Sequence, residues 1–252
     1  MMRMLLVRGM LSGLVAGLLA LVFARIFGEP SVGAAIDFES AEQAARGETP
    51  DPELVSRGVQ STLGLATGVL VYAVAFGGLF ALAFAVAYGR VGRLSPRATA
   101  LLVALGGYLA AFVVPFLKYP ANPPSIGNPD TINERTVVYF GMVALSIALA
   151  VAATYLGRRL VSRLGAWNAA LVAGAAFIVT AALGALLLPT VNEVPEGFPA
   201  GVLWNFRVAS LGIQLVMWTT MGLLFGALVH RRLAASGRAP EQAAPGAVAP
   251  VH

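Results

Sequence analysis

Residues 58–89 read GVQSTLGLATGVLVYAVAFGGLFALAFAVAYG, without one Asp, Glu, Lys, Arg or His. A run of this length and polarity belongs in lipid rather than water. A membrane-crossing helix needs about 20 mainly apolar residues, so this stretch exceeds one crossing and is expected to tilt or to extend past the bilayer. Within lipid the backbone must satisfy its own hydrogen bonds, which makes the helix the expected form.

Working outward, the same test picks out six spans, at about 4–26, 62–88, 98–117, 136–157, 167–188 and 208–229. The composition agrees: 58% of the 252 residues are hydrophobic and only 12% charged, against roughly a quarter charged in soluble domains. Mean hydropathy is +0.79. The expected fold is therefore all-α, a polytopic integral membrane protein whose six transmembrane helices form three helical hairpins over residues 1–233. The Ala/Pro/Gly-rich tail 234–252 is expected to be disordered. A cleaved signal is the competing reading of the first span, since Arg3 and Arg8 precede an apolar core and Val22-Phe23-Ala24 resembles a cleavage site. The long apolar run and the spacing of Gly9, Gly13 and Gly17 favour a packed helix instead.

Charge sets the expected orientation. With the N-terminus inside, the short inner segments are arginine clusters (Arg90, Arg93 and Arg97; Arg158, Arg159 and Arg163; Arg231 and Arg232), as the positive-inside rule requires. Both termini are then cytoplasmic, in a multi-pass protein of the cell (inner) membrane. Every acid except Glu241 falls outside, in segments that include Glu29, Asp37, Glu39, Glu134 and Glu193. Such a face is either ordinary solvated loop or a funnel that concentrates cations. The first outer loop, 28–56, is expected to hold a short surface helix from Asp37 to Ala45, ended by Gly47 and Pro50. Prolines stiffen the other two loops, 118–134 and 189–206.

The three hairpins share features. A proline follows each first helix (Pro30, Pro120, Pro189), and an arginine opens each second helix (Arg57, Arg135, Arg207). That suggests a parallel internal repeat about the membrane normal. Further glycine pairs, Gly64 with Gly68 and Gly222 with Gly226, are expected to pack helices two and six closely.

The chemistry the chain lacks is informative. There is no Cys, and neither His230 nor His252 lies in a predicted span, so no thiolate site or membrane histidine path is expected. No P-loop, His-Glu-x-x-His or Gly-x-Ser-x-Gly pattern occurs, and an enzyme is not expected. The mid-helix positions carry no ionisable residue, unlike those of many ion-coupled carriers. Candidate chemistry gathers at the outer mouth instead. Glu29, Asp37, Glu39 and Glu134, helped by neutral oxygens of Tyr119, Asn192 and Asn205, offer ligands to a divalent cation. Arg57, Lys118, Tyr119, Arg135, Asn205 and Arg207 form its polar rim; the arginines serve equally as anchors pairing with the acids. Met217 and Met221 read as core packing rather than soft ligands. Trp204 and Tyr139 read as interface-belt residues.

Three segments carry a resemblance. They are LLVRGMLSGLVAGLLA at 5–20 followed by Glu29-Pro30 and Ala35-Ile36-Asp37-Phe38-Glu39; Leu117-Lys118-Tyr119-Pro120-Ala121-Asn122-Pro123-Pro124 running to Arg135-Thr136; and Trp204-Asn205-Phe206-Arg207 with the last helix. Together they resemble the CbtA family of probable cobalt transporter subunits. The resemblance implies a membrane subunit for uptake of cobalt or another divalent cation, with Co2+ as cargo and no bound cofactor. It also implies a small single-span partner, CbtB, which supplies the histidines missing here. The family is often described with five helices, where this sequence supports six. The alternative function is a structural or assembly protein whose outer loops bind a partner.

Overall fold

A computed structural model describes residues 2–47, 55–124 and 126–235. Among them the chain is helical, and five helices are long and apolar enough to cross a membrane: α1 Met2–Ala45, α2 Arg57–Ala87, α3 Pro96–Lys118, α4 Ile132–Leu187 and α5 Ala200–Ala235. The acids Glu48, Asp51 and Glu53, Pro50 and the tail from 236 onward lie outside the described residues.

Two of these helices depart from the sequence expectation. Helix α1 does not stop near Ile26 but continues for 44 residues, about 66 Å of helix against a hydrocarbon core of about 30 Å. Pro30 is what should have broken it, since its ring presses on the carbonyl four residues back and it offers no N–H. Immediately before it, Ala24–Gly28 widens into a π-helical turn and Pro30 enters the first turn beyond, so the mismatch is absorbed locally. The helix ends at Gly47, as expected, with φ +71°. What reads as an acidic loop is thus largely helix. Its buried Ala35 and half-buried Phe38 pack on Ile126 and Phe198, forming a small second core at one end of the molecule.

Helix α4 spans 56 residues, about 84 Å if straight. It is not straight: Gly165 takes φ 73° and ψ 166°, a region open essentially to glycine alone. The arms 132–164 and 166–187 fold back on each other, with Gly157 against Ala173 and Gly184 against Leu145.

The remaining helices form the core. Gly9 and Gly13 of α1 lie so close to α2 that a side chain on either would collide with the carbonyl oxygens of Gly77 and Ala73. Gly77, not Gly64 or Gly68, is the packing glycine of α2; Gly68 faces open space. Phe76, Phe80 and Phe84, one turn apart on α2, reach Trp218 and Phe225 of α5. Met217 and Met221 are buried in the same core. Gly222 and Gly226 admit Ala104 and Ala100 of α3. Helix α1, the candidate signal, is therefore an inner wall of the bundle.

Spatial pairing departs from the three-hairpin plan. Only the first hairpin, α1 with α2, packs closely along its length. Helix α5 packs between α1 and α3 rather than along the arm 166–187 that precedes it. Helix α4 touches the bundle mainly through α3, where buried Ser146 donates a hydrogen bond to the Ala110 carbonyl. That carbonyl belongs to another π-helical turn, Tyr108–Val113, just before Pro115.

Candidate functional site

Two ends of the molecule can be told apart. The arginine end carries Arg90, Arg93 and Arg97 between α2 and α3, and the turn at Gly165. The other, the loop end, carries the proline-rich connections 119–131 and 188–199. There α3, α4 and α5 diverge around a cavity of ≈ 830 Å³. Its lining includes aromatic rings, Phe112 and Phe116 of α3 and Tyr139 and the largely exposed Phe140 of α4. Its polar groups include Tyr119, Asn122, Arg135, Thr136, Thr190, Asn192, Glu193 and Arg207.

The segment 119–124 builds one wall. Its prolines exclude helix and hold it extended, and three bonds pin it. The Tyr119 hydroxyl donates to the Pro189 carbonyl at 2.7 Å. Arg207 Nε donates to the Ala121 carbonyl at 3.2 Å, and its Nη2 to Asn122 Oδ1 at 3.0 Å. Both acceptors of Arg207 are neutral. Across the cavity Glu193 ties the two connections together. It accepts from the Thr131 hydroxyl and, at 3.0 Å, from the Asn128 N–H. Arg135 Nε lies 3.1 Å from Glu193 Oε2, an ion pair whose N–H points off the line, so Nε makes no hydrogen bond. Arg135 Nη2 donates to the Asn128 carbonyl at 3.0 Å. Gly127, with φ +133°, leaves the space these groups occupy; a side chain there would press on Arg135 and Glu193. The Thr131 hydrogen bond above all, with the Asn128 N–H and the Arg135 charge, holds the Glu193 carboxyl below the usual carboxylate range against a smaller opposing effect of burial.

The carboxylates expected to bind a cation are placed differently. Glu29, only 13% exposed, is clamped by Arg57 and, at 3.9 Å, by Arg25, tying α1 to α2. Asp37 and Glu134 are exposed and Glu39 is half-buried. Among the described residues no group of three or more His, Cys, Asp or Glu is arranged to hold a metal ion. The four carboxylates thus form no joint site, because the first loop is largely helical and carries Glu29, Asp37 and Glu39 along α1, while Glu134 lies in the first turn of α4.

Of the expected rim, Tyr119, Arg135 and Arg207 line the cavity. Lys118 sits 5.7 Å over the Tyr119 ring. Asn205 is exposed and Arg57 is engaged with Glu29; neither lines the cavity. Two of the three arginines of the supposed repeat therefore share a site and the third does not. Pro30 likewise lies inside a helix while Pro120 and Pro189 lie in connections, so the repeat fails in its first unit. Tyr139, read as a belt residue, is a cavity wall, whereas Trp204 is 68% exposed.

Sequence reasoning passed over Glu193 and its partners Thr131 and Asn128 as part of the site. The available signal was Gly127-Asn128-Pro129, a turn that presents its polar groups to one side.

No curated protein and no solved structure matches the chain. A family model described as probable cobalt transporter subunit (CbtA) matches residues 2–230.

Proposed function

The chain belongs to the CbtA family of probable cobalt transporter subunits, and on that premise we propose that it is the membrane subunit of an uptake transporter for cobalt or a similar divalent cation. The observation that carries this reading is the family match over nearly the whole chain.

In this reading the chain crosses the membrane six times. Helix α4 supplies two of the crossings, because its fold at Gly165 leaves two apolar arms. Counting α4 as one helix gives five, the number often ascribed to the family. Both termini and the arginine end lie on the cytoplasmic side, as the positive-inside rule assigns them, and the loop end faces outward in the cell membrane. The cavity among α3, α4 and α5 is then the outer vestibule. Its role is transport rather than catalysis, with Co2+ as cargo.

The described residues offer no cluster of metal-ligating side chains. A second subunit that brings ligands, such as a small single-span CbtB-like protein carrying histidines, completes the proposal. The test is accumulation of radioactive cobalt by cells lacking their own uptake route and expressing this chain with that partner. Accumulation well above that of cells with either protein alone is expected. Its absence, with both proteins shown in the membrane, overturns the reading and favours a structural or assembly role.

A further inference from the structure

The charge and size of the cavity do not suit a bare cation. The ionisable groups of opposite sign that line it are Arg135, Arg207 and one carboxylate, Glu193. Glu193 is already paired with Arg135. Arg207 is left facing neutral acceptors, the Ala121 carbonyl and the Asn122 amide oxygen, and these leave its guanidinium with N–H donors to spare. A site with net positive charge and unused N–H donors repels a free divalent cation and attracts an anion. Size argues the same way. A cation with six waters occupies about 200 Å³ at about 30 Å³ per water, whereas the cavity measures ≈ 830 Å³. That lies within the range of about 300–1,000 Å³ usual for organic ligands. The aromatic walls of Phe112, Phe116 and Tyr139 suit a carbon skeleton and serve an aquated ion poorly.

The geometry points to a binding site for an organic carboxylate, seated on the guanidinium of Arg207, with its carbon body against Phe112, Phe116 and Tyr139. Two sources share that chemistry: a free carboxylate, and a carboxylate that arrives as the ligand shell of a metal ion. Only the second rests on the cobalt reading, and it would bring the cation in as a chelate whose charge the arginine tolerates.

The test uses the full chain purified in detergent or nanodiscs. Heat of binding and melting temperature are followed with citrate, with cobalt chloride, and with both together. Citrate is expected to bind, alone or with cobalt, and cobalt chloride alone is not. Binding of citrate without metal identifies the free carboxylate; binding only when cobalt is present identifies the chelate. R207Q should weaken citrate binding about tenfold or more, since a charge-assisted hydrogen bond is lost. R207K keeps the charge but not the fork and should fall between. A purely structural Arg207 would lower the melting temperature of R207Q and leave citrate affinity unchanged, which overturns the proposal. If R207Q does not fold, the wild-type titrations still decide: no citrate binding in either arm, or binding of cobalt alone, overturns it. Cobalt uptake by cells is a separate measurement, so failure here leaves the transport reading standing, and the reverse also holds.

Discussion

The bundle of α1, α2, α3 and α5 and the folded helix α4 are both apolar, yet they are held in different ways. In the most apolar stretch of α5, 39% of the residues are buried within the protein; in that of α4, 11% are. In the bundle Gly9 and Gly13 bring backbone against backbone at Gly77 and Ala73, whereas in α4 Gly157 and Gly184 pack only between its own two arms and Gly141 and Gly174 face open space. Hydropathy alone cannot separate the two cases, because lipid and protein interior are equally apolar. Small residues matched by a partner across the contact do separate them, since close approach is the main source of helix association in lipid. The candidate cavity lies at the seam between the two regions, with walls from α3, α4 and α5. One side of the site is thus built on tightly packed helices and the other on an element attached along one edge.

The largest expected effect tests that contrast directly. Replacing Gly13 by Leu places a side chain against the Ala73 carbonyl, which cannot move without parting α1 from α2. Overpacking of this kind costs about 3 kcal/mol or more. A Cβ at Gly141 meets nothing within 4 Å, so Gly141→Leu should be neutral or, through the better helix propensity of Leu, stabilising by up to about 1 kcal/mol. Thermal or denaturant unfolding of the two variants in the same detergent checks both. Equal destabilisation would mean that the α4 face is covered, and the contrast would fall.

A smaller effect is expected at the seam. The π-helical turn of α3 leaves the Ala110 carbonyl without its usual helical partner, and Ser146 supplies the missing donor from α4. Ser146→Ala should cost about 1–2 kcal/mol, the range for an interhelical hydrogen bond in lipid. The loss should fall unevenly. Amide hydrogen exchange should rise in residues 132–164 before it rises in α1 or α5. Uniform exchange would show that α4 and the bundle open as one unit.

How much of this was legible beforehand follows from which interactions are local. The apolar runs are local, and they fall within five long apolar helices. Gly47 at the end of α1 and the core positions of Met217 and Met221 were also readable, from turn chemistry and from helical spacing. The continuation of α1 through Pro30 was not, because it depends on a π turn that a proline normally argues against. The packing glycine of α2 was misplaced because Gly64, Gly68 and Gly77 look alike until α1 is laid beside them. Arg135 and Arg207 were recognised as rim residues, but their partners were assigned by sequence proximity and charge to Glu29, Glu39 and Glu134. The groups that engage them are Glu193, Asn128, Ala121 and Asn122, between 7 and 86 positions away in sequence. No periodicity reports such pairings.

The smallest expected effect is one of pH, and it belongs to the loop end alone. Glu193 joins the connection before α4 to the connection before α5, through Thr131, Asn128 and Arg135. These contacts favour the charged carboxylate, so its pKa in the folded protein lies below the ordinary value of 4.5. A depressed carboxylate pKa stabilises the fold above the ordinary value, where both folded and unfolded forms are ionised. That contribution falls away as pH drops below 4.5 and is gone once the folded group itself protonates. Acidification through this window should therefore loosen the tie between the two connections while the glycine contacts between α1 and α2, which involve no acid, hold. A fluorescent probe at exposed Asn205, near this end of α5, should report the change, and one at Trp167, beside the turn of α4, should not. In Glu193→Gln the response at Asn205 should disappear, because no group remains there to titrate. If the wild-type response persists unchanged in Glu193→Gln, another acid such as Asp130 or Glu134 governs the loop end, and Glu193 is not the link across the seam.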